Sequence, residues 1–465
     1  ILQISARNAT GRELDKPRIV LTLPETIRVL GLRNGARSLH GRRPVNRNGR
    51  ACVEYEIAIS GKIQPDVYNQ SYGEFILLQS DLPAGDTLLP AECHFADGEF
   101  TGPVRRFNIR IMAPFHGRRP SRFKTGVHIW NEFSYAEPEA LQALAGAYAD
   151  AGFNVIQLGT VASPALSAAF KEAGMTRYRE TWIRNGYGVM VGAEIPGEAQ
   201  FRLADGSAHR RSVCPVEIYT RGAYFTGEMV PALRKLLVDD DLTDSLMCNW
   251  EPFGYNNIGC FCDRCRAEFI RHTGLPADEV EAAWPGELVR KYGSVWADFR
   301  SWQHGRLLVT LHETVAEIGR EAGKDSRFVP EIGNGFRRGD WPRSQYDPRD
   351  YLEELPVLEA WGPYIFHRYT RPYVYTLGRH LDLYRRAVEP IAYLAETVAN
   401  PARRPALIAF PQGIQCNDWI LEPEAIAFQS LCFFAAGWQG SIPYFFPGGY
   451  DGRYFRALAE ANTLI

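Results

Sequence analysis

A carboxylate and a thiol cluster lie close together in one stretch of the sequence. Glu251 follows the apolar run 245–248 and stands between Trp250 and Pro252. Such a run predicts a short buried strand, and barrel enzymes carry their chemistry at the C-terminal ends of strands. Asn249 precedes Glu251 by two positions, so both positions share one face of a regular strand. We therefore predict that Glu251 is an active-site acid and that Asn249 holds it.

Three cysteines follow in the spacing C-x-C-x2-C, at Cys260, Cys262 and Cys265, where a helical pattern begins. A turn that enters a helix brings such positions together, and thiolate zinc sites take four ligands in tetrahedral geometry. Cys214 is the natural fourth ligand, because it lies on the loop of a neighbouring predicted strand. Four sulfurs leave no open position, so we predict a structural zinc that ties this loop to the loop of Glu251. A disulfide and plain unligated thiols are the alternatives.

Further acids, amides and aromatic residues fall at the ends of other predicted strands. Two carboxylates about 5 to 9 Å apart can cleave a glycosidic bond, one of them protonating the leaving oxygen. We predict Glu331 as the partner of Glu251, with Glu194 and Asp418 in reserve. The chain contains no Gly-x-Ser-x-Gly motif, so an acyl-transfer triad is unsupported. The residues predicted to bind substrate are Trp130, Glu194, Asn249, Trp250, Trp361, His367, Gln412 and Tyr444.

The patterns that position these residues change near residue 115. Residues 1–115 contain short alternating strand runs separated by Pro, Gly, Asn and Asp, which predicts an all-β sandwich domain. Residues 116–465 alternate strand and helix patterns, and the strands are mostly apolar, as strands buried on both faces are. The eight strand candidates are 126–130, 154–158, 188–193, 245–248, 327–331, 357–361, 406–410 and 440–446.

The predicted fold is therefore α/β, a (β/α)8 TIM barrel preceded by an all-β sandwich. A doubly wound open sheet is the alternative. Against it, no glycine-rich phosphate loop follows the first strand of the barrel region.

Composition narrows the partners. The chain has 465 residues and a formal net charge of -2, which indicates neither nucleic acid nor an anionic membrane as partner. No apolar run reaches the roughly 18 residues of a membrane span. Aromatic residues make up 12% of the chain, which suits stacking on sugar rings. A carbohydrate is the expected partner, and a homo-oligomer is left open. The compartment is not readable, although the many cysteines without a disulfide pattern slightly favour the cytoplasm.

The run 260–269, directly after a strand-end glutamate, resembles the β-galactosidases of glycoside hydrolase family 42. The Arg-rich segment before Cys214 resembles the segment before that family's fourth metal cysteine. Residues 423–462 are similar to clan-A glycosidases. The resemblance implies a retaining mechanism with the acid/base on strand four and the nucleophile on strand seven. The chain departs from the family in three ways. Trp250 separates Asn249 from Glu251, Gln412 stands where a nucleophilic Glu is expected, and the β domain precedes the barrel.

Together these features predict a glycoside hydrolase that acts through a carboxylate pair with Glu251 as general acid/base. A non-catalytic carbohydrate-binding barrel is the alternative, and Gln412 favours it. A lyase or another carbohydrate-modifying barrel enzyme is a third interpretation.

Overall fold

The computed structural model divides its strands between an antiparallel sandwich and a ring of parallel strands. It describes residues 2–6, 8–33, 36–59, 61–65, 72–83, 85, 87–113, 115–129, 133–159, 162–182, 195–249, 259–332, 348–360, 377–411, 423–443 and 452–465. Within these residues no helix is long and apolar enough to cross a bilayer.

The N-terminal strands form two packed sheets. The strands are β1 Leu2–Ala6, β2 Arg18–Pro24, β3 Ile27–Arg33, β4 Ala36–Arg47, β5 Arg50–Ile59, β6 Tyr72–Ser80, β7 Leu88–Asp97, β8 Phe100–Thr101 and β9 Arg105–Arg110. One sheet has the order β4-β5-β2-β7-β8, with β9 also on β7, and the other contains β1-β6-β3. Alternate residues such as Ile19, Leu21 and Ile57 are buried between the sheets, which confirms the predicted β region.

Eight parallel strands form a separate sheet outside the sandwich. They are β10 Lys124–Ile129, β12 Val155–Leu158, β13 Thr176–Trp182, β16 Ser245–Asn249, β17 Phe328–Ile332, β18 Val357–Ala360, β19 Ala406–Ala409 and β20 Gly440–Ser441. Each strand pairs with the next, and β20 pairs back to β10. The pairing is narrow between β17 and β18 and on both sides of β20, where it comprises two residue pairs each. Of the predicted α/β fold, the mixed α/β class, the curled parallel sheet and the separate antiparallel sheets are confirmed.

Helices connect the strands and cover the sheet. They are α1 Pro138–Asp150, α2 Pro164–Glu172, α3 Pro215–Tyr219, α4 Val230–Arg234, α5 Asp263–Thr273, α6 Ala277–Ala283, α7 Leu288–Glu321, α8 Leu377–Thr397, α9 Pro423–Ala435 and α10 Gly452–Leu464. Two π-helical turns, Phe225–Met229 and Lys235–Asp239, flank α4. A small antiparallel pair, β14 Gln200–Arg202 and β15 Ala208–Val213, leads to Cys214.

The third strand of the ring differs from the sequence prediction. We expected it at the apolar run 188–193, which lies outside the described residues, but β13 Thr176–Trp182 occupies the place. This strand is charged because both its faces have polar partners. Arg177 donates hydrogen bonds to Asp241 and Asp244, and Glu180 lies beside a histidine in the barrel interior. Because its residues are charged, a search for apolar runs does not identify this strand.

The two parts of the chain share a sheet. The strand β11 Phe133–Ala136, which begins four residues after the end of β10, pairs antiparallel with β3 of the sandwich. The N–H of Glu137 donates to the carbonyl of Leu30 at 2.7 Å, and Arg28 forms an ion pair with Glu139 at 3.5 Å. The sandwich is therefore joined directly to the loop that follows the first barrel strand.

Candidate functional site

Four cysteines meet where two excursions from the barrel join. Cys214 lies between β15 and α3, and Cys260 lies just before α5. Cys262 caps α5, because its sulfur accepts the backbone N–H of Cys265 at 3.5 Å. Three of the thiols are buried and that of Cys262 is half-buried. Local helix capping thus places two sulfurs, and the β14–β15 hairpin supplies the partner from far along the chain.

The sulfur separations suit a tetrahedral metal centre. The four sulfur atoms lie within 4.8 Å of one another, and Cys214 Sγ is 3.5 Å from that of Cys262 and 3.6 Å from that of Cys265. Four sulfurs at the usual zinc–sulfur bond length of about 2.3 Å stand roughly 3.8 Å apart. A disulfide has a sulfur–sulfur bond of about 2.05 Å. None of these four cysteines forms a disulfide, so the geometry fits a shared cation.

N–H donors surround the sulfurs. The backbone N–H of Arg202 points to Cys260 Sγ at 3.4 Å, and the side-chain amide of Gln303 donates to Cys265 Sγ at 3.6 Å. Such outer donors orient metal ligands and stabilise thiolates over thiols. Burial raises the pKa of Cys214 and Cys265, whereas hydrogen bonds from the other three thiols lower that of Cys262. Four sulfurs this close together, three of them buried, can therefore all ionise only when a cation compensates their charge.

An ion pair with a buried carboxylate connects the two segments that carry the cysteines. Glu217 on α3 is 3% exposed and receives Arg264 of α5 at 2.6 Å. Its other oxygen accepts the N–H of Tyr224 at 2.8 Å. Arg264 also donates to the carbonyl of Glu198. These contacts align α3 with α5 independently of the sulfurs.

Aromatic residues fix the chain that enters the cysteine centre. Phe261 stacks on Trp296 with ring centroids 5.2 Å apart, and the indole N–H of Trp284 donates to the Phe261 carbonyl at 3.0 Å. Gly259 has a φ of +58°, and a Cβ there would lie 2.7 Å from the Trp296 ring. Only glycine fits this approach. The end of the segment that contains Glu251 is thereby held against α7.

The barrel interior changes from apolar to polar towards the C-terminal ends of its strands. Its lower layer is made of residues from seven strands or directly after them: Val155, Tyr178, Met247, Val329, Val357, Ile408, Phe410 and Ile442. Gln157 and Glu180 lie two residues beyond Val155 and Tyr178, hence on the same face. His128 of β10 pairs in register with Gln157. These three polar residues therefore lie beside the apolar cluster, since Gln157 pairs in register with Tyr178 and Glu180 with Met247.

These three polar residues are enclosed. His128 Nε2 lies 3.3 Å from Glu180 Oε2, with side chains 0% and 1% exposed, and the His128 ring lies 5.7 Å from that of Phe410. Gln157 is 3% exposed, and its buried Oε1 has no hydrogen-bond partner among the described residues. A carboxylate, an imidazole and an amide oxygen thus lie buried in the barrel interior. We call His128, Gln157 and Glu180 the floor row.

The sequence predictions have different outcomes at the cysteine centre and at the predicted catalytic and substrate-binding residues. The structure brings together Cys214, Cys260, Cys262 and Cys265, as predicted. The backbone of Asn249 ends β16, and that of Glu331 lies in β17. Eight of the predicted site residues, and the reserve Asp418, lie outside the described residues: Trp130, Glu194, Trp250, Glu251, Trp361, His367, Gln412 and Tyr444.

Sequence reasoning missed the floor row. The available signal was the alternation in Thr-Arg-Tyr-Arg-Glu-Thr-Trp (176–182), where tyrosine and glutamate share one face. The signal for His128 and Gln157 was weaker, since each is a single polar residue in an apolar strand.

Comparisons with known proteins give a general likeness only. No protein-family model matches the chain, and no curated protein matches it. Among solved structures it is similar to a β-galactosidase from the Antarctic haloarchaeon Halorubrum lacusprofundi (14% identity, TM-score 0.48, 73% of this chain and 57% of that one). It is also similar to the PgaB (BpsB) glycoside hydrolase domain from Bordetella bronchiseptica (11% identity, TM-score 0.44, 74% and 98%). A third is a β-galactosidase from Bacillus circulans sp. alkalophilus (12% identity, TM-score 0.42, 73% and 55%).

The chain spans little more than half the length of the two β-galactosidases. With every TM-score below 0.5, these likenesses establish neither a family nor an activity for the chain.

Proposed function

We propose that this protein is a glycoside hydrolase whose carboxylates act at the C-terminal end of the barrel. The observation that carries the proposal is the floor row within the otherwise apolar barrel interior, with the buried carboxylate of Glu180 beside His128. Positions 331 and 359 pair across β17 and β18. Each lies two residues beyond an interior valine, Val329 or Val357. By the two-residue alternation of strands, positions 331 and 359 share the face of those valines, and cleavage of a glycosidic bond needs two carboxylates.

Glu251 is the general acid/base in this proposal. It lies two residues beyond the end of β16, the strand between β13 and β17. Asn249 holds it, and Glu331 on the adjacent strand is the second carboxylate. A separation near 5 Å would make Glu331 a nucleophile, and a larger one would make it the base that activates water. Glu194 and Asp418 remain reserves. The residues proposed to bind or wall the sugar are Trp130, Glu194, Trp250, Trp361, His367, Gln412 and Tyr444.

The cysteine centre holds zinc in this proposal. Cys214, Cys260, Cys262 and Cys265 present four sulfurs within 4.8 Å of one another, and zinc is the usual ion of four-cysteine sites. The ion cross-links two loops and takes no part in bond cleavage, since four sulfurs leave no position for substrate. The proposal rests on the sulfur geometry and on the N–H donors around it.

The test is the substitution Glu251→Gln. Loss of a general acid/base costs about 10² to 10⁴-fold in rate, so kcat/KM for a nitrophenyl glycoside should fall by that factor. The loss should be smaller for a dinitrophenyl glycoside, whose leaving group needs little protonation. Glu281→Gln, on the exposed face of α6, is the control and should keep full activity. Equal activity of Glu251→Gln and wild type on both substrates would remove Glu251 from the mechanism.

A non-catalytic carbohydrate-binding barrel is the second candidate, and Gln412 at the expected nucleophile position favours it. It predicts glycan binding without hydrolysis. A glycan-array signal from a protein that cleaves none of a broad panel of aryl glycosides would decide for it.

A further inference from the structure

The floor row contains a hydrogen-bond acceptor that the protein itself leaves unused. Gln157 is only 3% exposed, and its Oε1 accepts no hydrogen bond from the residues that the structure describes. A buried amide oxygen without a donor is destabilising and therefore rare in folded proteins. Gln157 faces the barrel interior at the level of the His128–Glu180 pair, on the strand between β10 and β13. At this position the amide oxygen of Gln157 could accept a hydrogen bond from a bound ligand.

The chemistry of the row defines that donor. Gln157 offers an amide oxygen, and Glu180 offers carboxylate oxygens 3.3 Å from the His128 ring at their nearest. Acceptors on two adjacent strands can each receive a hydrogen bond from one hydroxyl group of the same ligand. Anionic substituents such as sulfate or carboxylate present only acceptors and would face two further acceptors. The row therefore suits a sugar with free hydroxyls.

We propose that His128, Gln157 and Glu180 form the deepest sugar subsite, where Gln157 Oε1 and Glu180 accept hydrogen bonds from two hydroxyls of an uncharged terminal sugar. This inference rests on the proposed hydrolase function and deepens it by naming the sugar class. Gln157 is a specificity-determining residue in it. The burial that makes the unused acceptor costly in the empty protein makes the hydrogen bond selective in the complex, because water does not compete.

The first test separates a binding role from a structural one. If Gln157 serves a ligand, Gln157→Leu removes an unsatisfied acceptor and the melting temperature of the unliganded protein stays level or rises. Gln303→Leu is the matched control, because the Gln303 amide is buried and hydrogen-bonded to Tyr219 and Cys265. That variant should melt at a lower temperature. A melting temperature of Gln157→Leu as depressed as that of Gln303→Leu would overturn the inference.

The second test measures which hydroxyl is recognised. A panel of nitrophenyl glycosides identifies the preferred sugar, and calorimetry then compares that monosaccharide with its monodeoxy analogues. One analogue should bind wild type about 10-fold more weakly than the parent, the worth of roughly one hydrogen bond. Gln157→Leu should bind both equally. Glu180→Gln should lose discrimination at a neighbouring hydroxyl. If both variants discriminate among the analogues as wild type does, the subsite is elsewhere.

A divalent cation is the rival occupant. Mg²⁺, Mn²⁺ or Ca²⁺ alone raising the melting temperature of wild type, and not of Glu180→Gln, would overturn the sugar assignment. The two proposals fail separately. Hydrolysis that depends on Glu251 together with unchanged sugar recognition in Gln157→Leu refutes only the subsite. A wild type that neither cleaves an aryl glycoside nor binds a monosaccharide refutes the hydrolase function itself.

Discussion

The cysteine centre gives the most direct quantitative prediction, through the substitution Cys265→Ser. Cys265 is fully buried and receives the Gln303 amide, so its loss opens the tetrahedral set. A metal that joins Cys214 to Cys260 closes a loop of about 46 residues in the unfolded chain (260 minus 214). Chain entropy assigns a cross-link of that span about 4 kcal/mol. For a domain of about 350 residues each kcal/mol shifts the melting temperature by roughly 1.4 °C. We expect the melting temperature to fall by roughly 5 °C.

The Glu217–Arg264 pair and the Phe261–Trp296 stack limit the damage. Both hold their segments without the metal, so Cys265→Ser should remain folded by circular dichroism. The assay is metal analysis of purified protein beside a thermal melt. Wild type should contain close to one equivalent of zinc, and Cys265→Ser far less. Cys432→Ser changes a buried thiol on α9, away from the centre, and should keep the zinc. The assignment would be refuted if wild type prepared under reducing conditions contained no zinc. It would also be refuted if Cys265→Ser contained as much zinc as wild type.

Two further predictions concern the described residues. Burial acts to raise the pKa of Asp241, but hydrogen bonds from Lys171, Lys324 and Arg177 outweigh it and hold the pKa below its ordinary value. That stability is present above about pH 4 and lost as the pH falls through the folded-state pKa, so thermal melts should show Asp241→Asn weaker than wild type at pH 7 and closer to it at pH 3. Gly259→Ala should cost about 1 to 2 kcal/mol for its left-handed backbone plus a clash with Trp296. Gly274→Ala, with a φ of +68° and no neighbour within 4 Å, should cost the backbone part alone, and equal losses would contradict the packing argument.

The cysteine centre could be predicted from sequence because its chemistry is local. Cys260, Cys262 and Cys265 occupy one turn and the first residues of α5, so spacing alone brings their sulfurs close. Only Cys214 required long-range information, and the neighbourhood of two loops supplied it. The apolar strands β12, β16 and β19 were equally accessible, because burial on both faces leaves a run of hydrophobic residues.

The strand β13 was missed for a physical reason. Its charged residues are buried only because remote partners compensate them, such as Asp244 for Arg177 at 2.7 Å. Hydrophobicity patterns register the cost of burying a charge and contain nothing about the partner that offsets it. The same limit applies to β11, whose partner β3 lies about a hundred residues earlier in the chain. Pairing of this kind is decided by the docking of two complete layers.

The placement of Glu251 depends on the two ends of its segment, one at the barrel interior that contains the floor row and the other at the cysteine centre. The segment 250–258 begins at the end of β16, whose Met247 belongs to the barrel interior. It ends at Gly259, which Trp296 holds against α7. Both ends are therefore anchored by packing that does not involve substrate. A metal that stiffens the second anchor acts on the position of Glu251 and leaves the floor row unaffected. Zinc removal should for this reason lower kcat of the proposed hydrolase while leaving monosaccharide affinity nearly unchanged. Gln157→Leu should instead weaken monosaccharide binding and leave kcat nearly unchanged.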